Sequence, residues 1–134
     1  MNVFEWPVRV YYEDTDSGGV VYHSNYLRFM ERARTEWLRA LGFEQDALLV
    51  EHACLFAVHS MQLNFRRPAR FNDALIVKSE LLAAGGASMH FEQLIFRNDE
   101  LLCGATIRIA SVDAQTFRPK PIPSFIVSEI QRGR

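Results

Sequence analysis

The stretch SNYLRFMERARTEWLRAL, residues 24–41, decides the fold. Tyr26, Met30, Ala33, Trp37 and Leu41 recur at i, i+4, i+7, i+11 and i+15. That spacing predicts one apolar stripe along a helix, flanked by Leu27, Arg34 and Leu38. Ser24 fits an N-cap and Gly42 the residue just past the C-terminus. Arg32 and Glu36 form an i,i+4 pair on the wetter face. At 1.5 Å per residue such a helix spans roughly 27 Å, enough to run under a whole sheet.

Downstream of it the pattern changes to a period of two. Leu55, Ala57, His59, Met61, Leu63 and Phe65 alternate with Phe56, Val58, Ser60, Gln62 and Asn64. Residues 74–84 and 87–97 flank Gly85-Gly86, a hairpin signal. Asn98-Asp99-Glu100 is a second turn and 101–112 a further strand. Upstream, Val8, Val10 and Tyr12 alternate with Arg9 and Tyr11 as an opening strand, where Pro7 suggests an edge or an irregular start. Long strands around one long helix predict an α+β layer architecture. The tail after Phe117 carries Pro119, Pro121 and Pro123, then SFIVSEI with the capacity for one or two helical turns.

Composition narrows the function classes. At 134 residues the expectation is a single domain, 1–134, able to build a core without staples. A hydrophobic fraction of 49% and a charged fraction of 23% exclude disorder and disulfide scaffolds. Lys plus Arg number 15 and Asp plus Glu 16, net −1, so the broad positive field of a nucleic-acid binder is missing. Cys54 and Cys103 lie far apart without CxxC, which points to free thiols and no structural zinc. The N-terminus has neither the charge nor the apolar run of a signal peptide, and no stretch is long enough to span a bilayer. The expectation is a cytoplasmic protein.

Chemistry concentrates in one loop, Tyr11-Tyr12-Glu13-Asp14-Thr15-Asp16-Ser17-Gly18-Gly19-Val20-Val21-Tyr22-His23. Carboxylates at Asp14 and Asp16 precede a helix start, which offers unpaired N–H groups and the positive end of a dipole. Donors converging there suit a developing oxyanion, and a carboxylate beside them suits attack or water activation. The plain alternative is a turn with a cap. Calcium is disfavoured: counting from Asp14, loop position 5 is Gly18 and position 12 is Asn25. GxSxG, Walker A, GxGxxG and HExxH are missing, and His23, His52, His59 and His90 lack metal-ligand spacing. His59 and His90 fall inside strands as packing or surface residues. Cys54 beside His52 suggests a thiol nucleophile less than a small core residue.

The run Tyr12-x-Asp14-Thr15-Asp16-x-x-Gly19-Val20-Val21-Tyr22-His23-x-x-Tyr26, then Phe29-x-Glu31-x-Ala33-Arg34, resembles the YbgC family of acyl-CoA thioesterases. That family belongs to the 4-hydroxybenzoyl-CoA thioesterase-like branch of the hotdog fold and is often associated with the Tol–Pal envelope system. The resemblance is specific over residues 8–42 and continues loosely through Phe65-Arg66-Arg67-Pro68-Ala69 to about Arg118. It implies a long antiparallel sheet wrapped around a central helix. It implies Asp16 as the catalytic carboxylate, nucleophile or general base, and His23 as the helix-start residue whose N–H polarises the thioester carbonyl. Asp14 and Thr15 would shape the loop, and Tyr22 and Tyr26 would pack. Arg66 and Arg67, with Arg70, would meet coenzyme A phosphates or else form a solvated turn; Arg118 and Lys120 are weaker candidates. Leu63, Phe65 and the helix face would line an acyl pocket or the core. The expected substrate is acyl-CoA or an acyl carrier protein thioester. No cofactor and no metal are expected, because coenzyme A is part of the substrate. Relatives form homodimers and tetramers with sites at the interface. Two other readings stand beside the hydrolase: an acyl-CoA-binding sensor or scaffold without turnover, and a hotdog dehydratase, which wants a His facing an acid on the helix.

Overall fold

The computed structural model describes residues 3–132. Five antiparallel strands form one sheet in the order β1-β3-β4-β5-β2. They are β1 (Val3–Arg9), β2 (Cys54–Phe65), β3 (Ala74–Gly85), β4 (Ser88–Arg97) and β5 (Glu100–Asp113). Three helices complete the chain: α1 (His23–Ala40), α2 (Gln45–His52) and α3 (Ser124–Arg132). Among the described residues no helix is long and apolar enough to cross a membrane.

The core lies between α1 and the inward face of the sheet. Tyr26, Phe29, Met30, Ala33 and Leu38 of α1 are buried with Leu75 and Val77 of β3, Phe91 and Ile95 of β4, and Ile107 of β5. This is the α+β layering expected from one long helix and period-two strands, and the hotdog arrangement that the resemblance implied. Trp37 sits at its margin and meets the Phe91 ring edge-on at 5.0 Å.

Several boundaries move. β1 begins at Val3 and passes straight through Pro7, which pairs with Ile76; an edge strand tolerates the missing donor. Inward alternation continues to Val10, whose N–H donates to Asp73 O at 3.0 Å, but Tyr12 is not strand. A 3-10 turn takes Tyr12–Asp14 because the Asp14 carboxylate accepts the Tyr11 N–H at 2.8 Å and bends the chain there. α1 starts one residue before the predicted cap: Tyr22 is the N-cap and Ser24 lies inside the first turn. Gly42, at φ 99°, ends it as expected. α2 had no periodic signal, since its apolar residues Ala47, Leu48, Leu49 and Val50 are consecutive and only Leu48 is buried.

In β2 a bulge between Val58 and Ser60 resets the faces. Phe56 and Val58 pair with Ser111 and Ile109, and Met61 and Leu63 with Ile107 and Ala105. Directly paired residues share a face, so Phe56 and Val58 join Met61, Leu63 and Phe65 on the helix side, contrary to unbroken alternation. The β3–β4 hairpin turns at Gly86, φ 57°, and β4–β5 at Asn98, φ 54°. α3 is longer than one or two turns and buries Ile126 and Ile130.

Candidate active site

The loop between β1 and α1 is a closed hairpin held at several points. Thr15 bridges Val21, the Asp16 N–H donates to Val20 O at 2.9 Å, and the Gly19 N–H returns to Asp16 O at 3.0 Å. Gly19 has φ 80°, and a Cβ at Gly18 would sit 3.2 Å from Asp16 Oδ1. The two glycines therefore let the turn close tightly around the Asp16 carboxylate. The Gly18 N–H donates to Asp16 Oδ1 at 2.8 Å and orients it. The carboxylate is exposed and pairs with no cation among the described residues. It is thus held by its own loop and forms no ion pair among the described residues.

Asp14 and Thr15 shape this loop. The Asp14 carbonyl accepts the Tyr22 N–H at 2.9 Å and the Asn25 side-chain amide at 2.8 Å, and the Thr15 hydroxyl donates to Tyr12 O. The hairpin docks on the segment after β2: the Val21 N–H donates to Ala69 O at 2.8 Å and Val20 bridges Arg70. Tyr26 is buried beneath, its hydroxyl accepting the Ala69 N–H at 3.0 Å. Burial raises its pKa above the ordinary tyrosine value, so it packs as an anchor. Asn25, buried on the helix, was missed in the sequence; a polar residue beside the apolar stripe was its only mark.

The helix start is unfinished. Tyr22 is extended and makes no side-chain cap, and the first turn carries no acid. Asn25 N–H donates to Tyr22 O at 2.8 Å, while the N–H groups of His23 and Ser24 meet no acceptor among the described residues. The His23 ring is exposed, 4.3 Å from the Tyr22 ring and edge-on to Phe65 at 6.4 Å. Phe65 also touches Tyr26 at 5.5 Å, which brings the end of β2 to this helix start. Asp16 follows Thr15 towards the hairpin turn and His23 follows Val21 away from it, so the two lie on opposite sides of the Thr15–Val21 bridge.

The arginines after Phe65 divide. Arg67 is committed to Glu100 at 3.1 Å, whereas the Arg66 and Arg70 guanidinium groups have no partner among the described residues. Arg97, bound to Asp73 and Glu100 at 2.7 Å each, fixes the base of the segment. Leu63 packs against the core; Phe65 is more exposed and reaches the helix start.

A cleft of about 510 Å³ opens further along, between α1 and the first half of β2. Phe56, Val58, Trp37, Phe91 and Ile109 line it with Glu31, Arg34 and Gln45. Arg34 lies eleven residues beyond His23, roughly 16 Å along the helix axis. Its guanidinium donates to Gln93 Oε1 at 2.8 Å, and the Gln93 amide donates to Met30 O and to the Ser79 hydroxyl. Burial holds Arg34 below the usual guanidinium range. The signal for this network was Gln93 itself, a polar residue at an inward position of β4.

The remaining candidates stand apart. His59 and His90 are exposed on their strands, and among the described residues no group of His, Cys, Asp and Glu is set to hold a metal. Cys54 and Cys103 are buried, and burial pushes the Cys103 thiol up to about 11, far from a nucleophile's range.

Residues 10–130 match the family model described as the thioesterase-like superfamily. The chain is 47% identical over 122 residues to the acyl-CoA thioesterase YbgC of Haemophilus influenzae, covering 91% of this chain and 90% of that one. It is 44% identical over 131 residues to the acyl-CoA thioester hydrolase YbgC of Escherichia coli, covering 97% of each. Among solved structures, a probable thioesterase from Bartonella henselae superposes with a TM-score of 0.87 at 35% identity, covering 91% of this chain and all of that one.

Proposed function

The chain belongs to the YbgC-type thioesterases of the thioesterase-like superfamily, and from that premise we propose how this acyl-CoA thioester hydrolase works. The thioester carbonyl oxygen sits on the free N–H groups of His23 and Ser24, at the positive end of α1. Asp16 supplies the other half of the chemistry by one of two routes. Its carboxylate attacks the carbonyl carbon, the C–S bond breaks, the thiolate of coenzyme A leaves, and water then opens the mixed anhydride. Alternatively, Asp16 takes a proton from water as that water attacks, and the same thiolate departs. In both routes negative charge gathers on the carbonyl oxygen, where two unsatisfied donors are already oriented.

The observation that supports this reading is the pairing of an uncapped helix start with an exposed carboxylate held by its own loop. Arg66, uncommitted after Phe65, is suited to a phosphate of the substrate. The acyl group runs from His23 past Phe65. β2 is an edge strand of twelve residues, and its unpaired side supports two-fold pairing into a homodimer or a higher oligomer.

Free-thiol release over acyl-CoAs of graded chain length tests the hydrolysis. Turnover with at least one chain length is expected; tight binding with no turnover across the series would replace the enzyme with a sensor. A single turnover in heavy-oxygen water then separates the routes. Label retained in Asp16 marks carboxylate attack, with water opening the anhydride at the aspartyl carbonyl; label in the free acid alone marks water attack at the acyl carbonyl.

A further inference from the structure

We propose that the stacked rings of Tyr12 and Phe71, flanked by Arg9 and Arg70, form the platform that holds the adenine and phosphates of coenzyme A. The inference rests on the hydrolase reading above and names the carrier end of its substrate. The two rings lie 3.7 Å apart and within 6° of parallel. One face of Tyr12 is therefore covered, yet the residue is 74% exposed. Its outer face must then be open to solvent, and a third flat ring extends the stack there.

The backbone is arranged to hold the pair. Asn72 adopts φ 69°, a left-handed conformation that asparagine tolerates better than most residues, and it turns the segment next to Phe71. The Arg9 guanidinium donates to Asn72 O and Oδ1, both at 3.3 Å, and so stands beside Phe71 with its charge unneutralised. Arg70 precedes Phe71, and its guanidinium has no partner among the described residues. The local acids Asp14 and Asp73 are engaged, the first by the Tyr11 N–H and the second by Arg97, while Glu13 is exposed. Rings for a base and two cations for phosphates thus share one surface.

That surface is continuous with the reaction site. Arg70 bridges Val20 in the same hairpin that carries Asp16. Tyr12 precedes Asp16 by four residues, at most about 14 Å of chain, a gap the phosphopantetheine arm crosses easily. An acyl carrier protein presents the same arm without a base, and leaves these rings unused.

The test compares acyl-CoA, acyl-dephospho-CoA and acyl-pantetheine as substrates of the full chain. Tyr12→Ala and Phe71→Ala should each raise KM for acyl-CoA on the order of tenfold with kcat nearly unchanged, and leave the constants for acyl-pantetheine alone. Tyr12→Phe should keep the wild-type KM. Arg70→Ala should narrow the preference for acyl-CoA over its dephospho form. Equal losses with acyl-CoA and acyl-pantetheine would make the rings a loop-shaping contact and overturn the proposal, as would no loss at all. Calorimetry with adenosine 3′,5′-bisphosphate reads the platform without turnover, so it still decides if no thioester is hydrolysed. Binding abolished by Tyr12→Ala supports the platform; no binding to the wild type, or ATP bound equally well, overturns it.

Discussion

The two ends of α1 are built in opposite ways. At the C-terminal end the carbonyls are closed: Leu41, Gly42 and Phe43 donate back to Trp37, Leu38 and Arg39, with Gly42 in the left-handed region. Arg39 is clamped by Glu36 and Glu44 at that same end, where a cation suits the dipole. At the N-terminal end nothing is finished. Tyr22 gives no cap, no acid sits in the first turn, and the His23 and Ser24 N–H groups meet no acceptor among the described residues. A missing N-cap costs about 1 kcal/mol of stability. A helix that completes one end and leaves the other uncapped gives up some stability and keeps two donors that the described fold does not satisfy.

This contrast can be broken from either side. The largest effect is expected at Asp16. Asp16→Asn keeps an acceptor for the Gly18 N–H but no longer attacks or takes a proton, so kcat should fall by roughly 10²–10⁴ with an unchanged melting temperature. His23 comes next and separates backbone from side chain. His23→Pro deletes the N–H at a position where proline suits a helix and Tyr22 is already extended; kcat should fall by roughly 10²–10³ with helix content retained. His23→Ala keeps that N–H, and a matching loss there would shift the role to the imidazole. Filling the open end is a subtler probe. Tyr22→Asp offers a carboxylate to the Ser24 N–H, so denaturant melts should show a gain of about 1 kcal/mol while thiol release slows. The smallest effect belongs to the closed end. Gly42→Ala, forced to φ 99°, should destabilise the fold by about 1–2 kcal/mol in the same melts and leave kcat/KM unaltered.

Legibility followed the strength of local signals. The α1 stripe, both hairpins and the antiparallel sheet were readable because side-chain period and turn glycines report directly on backbone geometry. α2 was silent because four consecutive apolar residues carry no period, and only packing selects Leu48 for burial. The β2 bulge was silent too, since a single unpaired residue leaves the composition unchanged while flipping every face before it. Ser24 misled as a cap because Tyr22 N–H and Asn25 both bind the Asp14 carbonyl, and this pulls the helix start back to His23. The resemblance carried Asp16 and His23 as candidates; composition and spacing alone favoured a turn with a cap over a catalytic loop. Arg67 and Arg70 read alike in sequence, yet Glu100 claims one and leaves the other.

By itself the sequence determined the helix, the strand count beyond the loop, and the presence of a carboxylate before a helix start. Those are short-range properties, written in residue spacing. Tertiary structure alone decided which donors stay free, which arginines are spoken for, and that Tyr12 meets Phe71 across 59 residues of chain. The physical reason is that hydrogen-bond satisfaction is settled among all neighbours at once. A donor is left for a ligand only when every competing acceptor in the fold has found another partner.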